Sequence, residues 1–65
     1  MNWDQIEGNW KQAKGKFREQ YGKLTDDDLE QTRGKRDLLI GKMQERYGVS
    51  KEEAERQVDD LARGL

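Results

Sequence analysis

The residues of this chain that most invite a chemical role are two Gly-Lys pairs, Gly15-Lys16 and Gly41-Lys42, because a glycine turn followed by lysine is how many proteins cradle phosphate. The spacing argues against it. Six residues separate Gly8 from Gly15 and Gly34 from Gly41 where a phosphate loop has four, and neither lysine is followed by serine or threonine. The run Asp26-Asp27-Asp28 offers carboxylates to a divalent cation, but it lacks the glycine and terminal glutamate of a calcium loop and stands where a helix start favours negative charge. Acid–base and nucleophilic chemistry are poorly provided for. The chain has no histidine or cysteine, and its one serine, Ser50, is accounted for as a helix cap. Neither enzymatic activity nor a cofactor, metal or small-molecule substrate is expected.

Basic residues form the remaining candidate site. Lys11, Lys14 and Arg18 share one helical face, and Lys35, Lys42 and Arg46 share another, so two cationic rows could lie side by side against phosphates, with Trp3 or Trp10 stacking on a base. Against this stand a formal net charge of -1 and pairs such as Glu7 with Lys11, Glu19 with Lys23 and Glu52 with Arg56, spaced to neutralise a solvated helix face. Contact with nucleic acid or a partner protein through these rows is the less favoured alternative. Charge is also blocked along the chain: residues 8–24 carry five cations against Glu19 alone, and Asp26, Asp27, Asp28 and Glu30 follow at once.

Whatever the rows do, a small scaffold must hold them. With 65 residues there is room for one domain, residues 1–65, and a chain of this size hides only about 60% of the surface its unfolded form exposes. Charged residues make up 42% and hydrophobic ones 31%, and the mean hydropathy is -1.36, so the core is thin and stability rests on packing and capping. Apolar runs never extend beyond Leu38-Leu39-Ile40, so neither an export signal nor a membrane span is expected. A monomer is expected.

Three helix starts repeat one device: a capping residue, an acid or amide three positions on, and a flanking hydrophobic pair. They are Asn2 with Gln5, Met1 and Ile6; Thr25 with Asp28, Leu24 and Leu29; and Ser50 with Glu53, Val49 and Ala54. Gly22 and Gly48 follow Tyr21 and Tyr47 where a left-handed cap would end a helix. An all-α bundle of three main helices, about 3–21, 25–47 and 50–63, is predicted. A break at Gly8 or Gly34 would make it four or five. Trp3, Ile6, Trp10, Ala13, Phe17 and Tyr21 form the apolar stripe of the first helix. Leu29, Leu39, Met43 and Tyr47, widened by Leu38 and Ile40, serve the second and mark it as central, while Ala54, Val58, Leu61 and Leu65 serve the third.

The glycines carry a second layer of order. Gly8, Gly15 and Gly22 recur every seven residues, and Gly34, Gly41 and Gly48 repeat the pattern 26 residues later. Residues 15–22 align with 41–48, which marks an internal duplication. An interior glycine costs a helix roughly 1 kcal/mol against alanine, so Gly15 and Gly41 are expected either to permit close backbone approach or to serve solvation and flexibility.

Taken together, Gly8-Asn9-Trp10-Lys11, Gly15-Lys16, Gly22-Lys23-Leu24-Thr25-Asp26-Asp27-Asp28, Gly34-Lys35-Arg36-Asp37 and the block from Gly41 to Gly48 resemble the bacterial CsbD-like stress-response family over nearly the whole chain. The resemblance implies a cytoplasmic protein accumulated under general stress or in stationary phase, a small helical bundle, and no established biochemical activity. It supplies no catalytic residues. A hydrophilin-like protective role is the reading that the glycine, charge and hydropathy favour.

Overall fold

Side-chain caps set where the main helical runs begin. In the computed structural model, which describes residues 2–65, Asn2 Oδ1 accepts from the Gln5 backbone N–H at 2.9 Å, Thr25 Oγ1 from that of Asp28 at 3.0 Å and Ser50 Oγ from that of Glu53 at 3.1 Å. At the first two starts the return bond of a capping box is also made, from the Asn2 N–H to Gln5 Oε1 and from the Thr25 N–H to Asp28 Oδ2. Of the expected hydrophobic pairs, Leu24 and Leu29 are both buried, and Val49 is half-buried with Ala54 buried; the pair involving Met1 falls outside the described residues.

Among the described residues five helices result: α1 Trp3–Gly8, α2 Trp10–Gln20, α3 Asp26–Thr32, α4 Arg36–Tyr47 and α5 Lys51–Arg63. The first two of the three long runs are therefore each divided. Asn9 makes the first division by ending α1 and starting α2 at once. Its N–H donates to the carbonyls of Gln5 and Ile6 at 3.0 and 3.2 Å, and its own carbonyl accepts from the N–H groups of Gln12 and Ala13 at 3.0 Å. The second division is a turn in which Arg33 and Gly34 are both left-handed, with φ of 50° and 81°. The Lys35 N–H closes that turn on the Thr32 carbonyl at 2.9 Å.

The two divisions pack against each other. Trp10 Nε1–H donates to the Leu29 carbonyl at 2.8 Å, and the same oxygen takes the Thr32 hydroxyl at 2.9 Å and the Arg33 N–H at 3.0 Å. Gly34 is buried against this knot: a Cβ placed there would lie 3.0 Å from Trp10 Cε3 and 3.1 Å from the Glu7 Cα. Close backbone approach is thus a property of Gly34. Of the two alternatives for Gly15 and Gly41, close approach is not the one taken: both are exposed, with nothing within 4 Å of an added Cβ. Gly22 also departs from expectation, since it is absent from the left-handed residues. The N–H of Tyr21, at φ -125° and ψ 82°, bonds back to the Phe17 carbonyl to close α2, and the Leu24 N–H then donates to the Tyr21 carbonyl at 3.1 Å, turning Leu24 into the core. Gly48 does take the left-handed cap, at φ 65°, with its N–H on the Gln44 carbonyl.

The apolar stripes meet as one core. Ile6 of α1, Trp10, Ala13 and Phe17 of α2, Leu24 and Leu29 around the start of α3, Leu39, Ile40 and Met43 of α4, and Ala54, Val58 and Ala62 of α5 are all buried. Central α4 packs on both α3 and α5. Leu38 does not widen its stripe as expected. Facing inward through Leu39, Ile40 and Met43 turns the preceding position outward by one helical step, and Leu38 is 48% exposed. The duplication is visible in register, because α2 and α4 begin at Trp10 and Arg36, and Phe17 and Met43 fill equivalent, fully buried places.

Glycine substitutions separate these roles. Gly34→Ala should cost about 3 kcal/mol, from left-handed strain and overlap with backbone atoms that cannot retreat. Gly15→Ala and Gly41→Ala should each stabilise by roughly 0.5–1 kcal/mol, because the added methyl meets nothing and the unfolded chain loses freedom. Urea unfolding followed by circular dichroism measures all three, and a stabilised Gly34→Ala would contradict the packing described.

Candidate functional site: the basic helix faces

Short α3 begins with three aspartates, and its first turn exposes N–H groups that favour them. The helix then fans them apart. Asp28, the third helical residue, turns into the protein and is 2% exposed, whereas Asp26 and Glu30, four apart, share a face toward α2.

Two cations from each basic row reach this acidic helix. From α2, Arg18 Nη1 lies 2.8 Å from Asp26 Oδ1, and Lys14 is hydrogen-bonded to Glu30. From α4, Arg46 grips Asp28 with both arms of its guanidinium, Nε on Oδ2 at 2.8 Å and Nη2 on Oδ1 at 2.9 Å, while Lys42 Nζ stands 3.6 Å from the same Oδ1 and 3.6 Å from Glu45. Lys35, at the start of α4, pairs with Glu7 of α1 at 3.3 Å. Of the six cations singled out, only Lys11 makes no ion pair among the described residues. The rows do not lie side by side: the acids of α3 stand between them, paired with cations of each.

Asp28 is the electrostatic centre of this seam. The Arg46 hydrogen bonds, opposed by burial and reinforced by the Thr25 backbone N–H, hold its carboxyl far below the usual carboxylate range. The bond to Glu30 likewise keeps the Lys14 ammonium above its ordinary value. A second two-armed pair escaped the sequence reading: Arg36 Nε and Nη2 contact Asp59 Oδ1 and Oδ2, each at 2.8 Å, joining α4 to α5. That contact depresses the Asp59 carboxyl against the opposing effect of burial. No short-range pattern announces a pair 23 residues apart.

The aromatic residues are equally committed. Trp10, considered as a stacking platform, is 8% exposed and bonded to Leu29, and Trp3 is half-buried beside Asp59. The expected pairs Glu7 with Lys11, Glu19 with Lys23 and Glu52 with Arg56 do not form: Glu7 takes Lys35, Glu19 stands 3.9 Å from Lys16, and Arg56 takes Glu53 at 2.5 Å. The concavities on the surface are open and shallow. One of about 310 Å³ runs between Gln31 and Glu45 along Leu38 and Gly41. Among the described residues no helix is long and apolar enough to cross a membrane.

Comparison with known proteins places this arrangement in a lineage. The profile of the CsbD-like family matches residues 4–56. The UPF0337 protein YjbJ of Escherichia coli is 63% identical over 59 residues, spanning 91% of this chain and 86% of its own length. UPF0337 protein ECA0631 of Pectobacterium atrosepticum is 66% identical over 58 residues, 89% of this chain and 84% of its own, and NE2439 of Nitrosomonas europaea is 50% identical over 62 residues, 95% and 66% respectively.

The seam makes stability depend on acid. Asp28 and Asp59 both have folded pKa values below the 3.8 of an ordinary aspartate, so their contribution is complete above that value and drains away as pH falls through the lowered ones. Asp59, about one-third exposed, contributes less because solvent screens it. The thermal midpoint should therefore stay level from pH 8 to about 5 and fall below about 4. Asp28→Asn should cost about 2 kcal/mol at neutral pH by removing the negative charge that Arg46 and Lys42 share and one of the two oxygens that Arg46 grips. It should also flatten the acid limb, and an unchanged acid limb in that variant would remove Asp28 from the account.

Proposed function

The chain belongs to the CsbD-like family, and from that premise we propose that it is a non-enzymatic, cytoplasmic stress-response protein that protects other macromolecules as a hydrophilin-like, water-retaining monomer making weak contacts with many partners. The observation that supports this reading is the closure of charge within the molecule. Cations and carboxylates are abundant, yet five of the six cations in the rows are spent on acids of the same chain. A surface of mixed, mutually neutralised charge projects no strong field of one sign, so it hydrates well and selects weakly. Apolar exposure is correspondingly sparse, with Leu38 the one large hydrophobic side chain in the open among the described residues. A single tight interface needs a desolvated apolar centre, and one exposed leucine does not make one.

The rival reading is docking to nucleic acid or a partner protein through Lys11, Lys14, Arg18, Lys35, Lys42 and Arg46. It would require phosphates to displace carboxylates already in place, including the buried one of Asp28. The two readings make opposite demands on salt.

Added to a labile enzyme before freeze–thaw or drying, this protein should preserve more activity than an equal mass of an unrelated small folded protein; equal recovery would end the protective reading. Binding to DNA or RNA should be weak even at low ionic strength. Tight binding that declines steeply with salt, and that Lys14→Ala and Arg18→Ala reduce, would establish the rival instead.

A further inference from the structure

The duplication places one pair of equivalent residues in direct contact. Tyr21 and Tyr47 are the chain's only tyrosines, occupy the same position of the two repeats 26 residues apart, and meet edge to face with ring centroids 5.9 Å apart and planes at 80°. We propose that this contact is an oxidative modification site, at which a diffusible one-electron oxidant joins the two rings into an intramolecular dityrosine.

Three features of the site suit it to that chemistry. Both rings are half-buried, so a small oxidant reaches them while the surrounding protein holds them together. Both stand at helix C-termini, Tyr21 as the first residue past α2 and Tyr47 as the last of α4, so the two rings meet where the two helices end. The ring of Tyr47 is held from the other side by the Lys23 backbone N–H, which donates to its hydroxyl oxygen at 3.1 Å, and by the Lys23 ammonium 5.3 Å from its centroid. Burial, then Asp60, Tyr47 and Glu53, keep the Tyr21 phenol protonated well into the alkaline range, so it enters the reaction as a neutral phenol.

The balance is simple. Each phenol gives one electron to the oxidant and its hydroxyl proton to water, leaving two phenoxyl radicals. These join through a ring carbon ortho to each oxygen, and the hydrogen on each joined carbon then moves to the neighbouring oxygen, restoring both phenols. Two equivalents of oxidant are reduced, two protons are released, and the chain loses two hydrogen atoms. The product ties the end of α2 to the end of α4 and closes a 26-residue loop, restricting the unfolded chain as a disulfide does. In a chain with no cysteine it is a covalent staple available to oxidation.

The test is photo-oxidation of the intact protein with a ruthenium tris-bipyridyl sensitiser and persulfate at low micromolar concentration. The expected product is a monomer lighter by two hydrogens, with the blue fluorescence of dityrosine and a mass-spectrometric link between the peptides of Tyr21 and Tyr47. Its thermal midpoint should rise by about 10 °C or more. Tyr21→Phe keeps the ring and breaks no hydrogen bond found among the described residues, so this variant should fold and yield no linked monomer. Tyr47→Phe should do the same even with the loss of the Lys23 bond. Three results would overturn the proposal: linkage as efficient in denaturant as in the folded protein, linkage only between chains, or hydroxylated tyrosine and oxidised tryptophan without any coupling.

Discussion

Asp28 carries a charge to a place that solvent barely reaches, and much of the bundle is arranged to make that tolerable. An isolated carboxylate there would cost several kcal/mol. Here it accepts from the Thr25 N–H, from both arms of Arg46, and stands close to Lys42. One side chain therefore starts α3, ties it to the C-terminal half of α4 and draws the second basic row inward. The first row is drawn in from the opposite side by Asp26 and Glu30. A seven-residue helix has little strength alone, and α3 is held through its acids and through buried Leu29.

The other anchor is the Leu29 carbonyl, which gathers donors from Trp10, Thr32 and Arg33 and so joins the kink at Asn9 to the turn at Gly34. These two points explain how a chain with 31% hydrophobic residues builds a connected core. The apolar residues fill the centre, and polar contacts at the two ends fix the angles at which helices enter it. The same arrangement shapes the outside, because cations committed to α3 and α1 no longer offer a coherent field to a distant ligand.

Much of this was legible in the sequence. The three caps, the Gly48 stop, the stripe of α1 and α2 and the repeat of 26 residues all appear where they were expected. The division of the long runs was seen as an alternative to continuous helices. Missed were the partners of the charged residues, the exposure of Leu38, and the identity of the glycine that packs. Gly34 looked like one member of a periodic set, yet it alone combines a positive φ with a close neighbour, while Gly15 and Gly41 face open space.

The division follows the range of the forces involved. A cap is a bond between residues three apart, and a stripe is a consequence of helical pitch, so the sequence by itself determined the class of fold, the helix starts and the internal repeat. Arg46 finding Asp28, Arg36 finding Asp59 and Tyr21 meeting Tyr47 join residues 18 to 26 positions apart. Which of several nearby opposite charges pairs, and which glycine has a neighbour, depends on how two helices cross. Only the tertiary structure decided that, because the crossing is set by the whole core at once rather than by any segment's own preference.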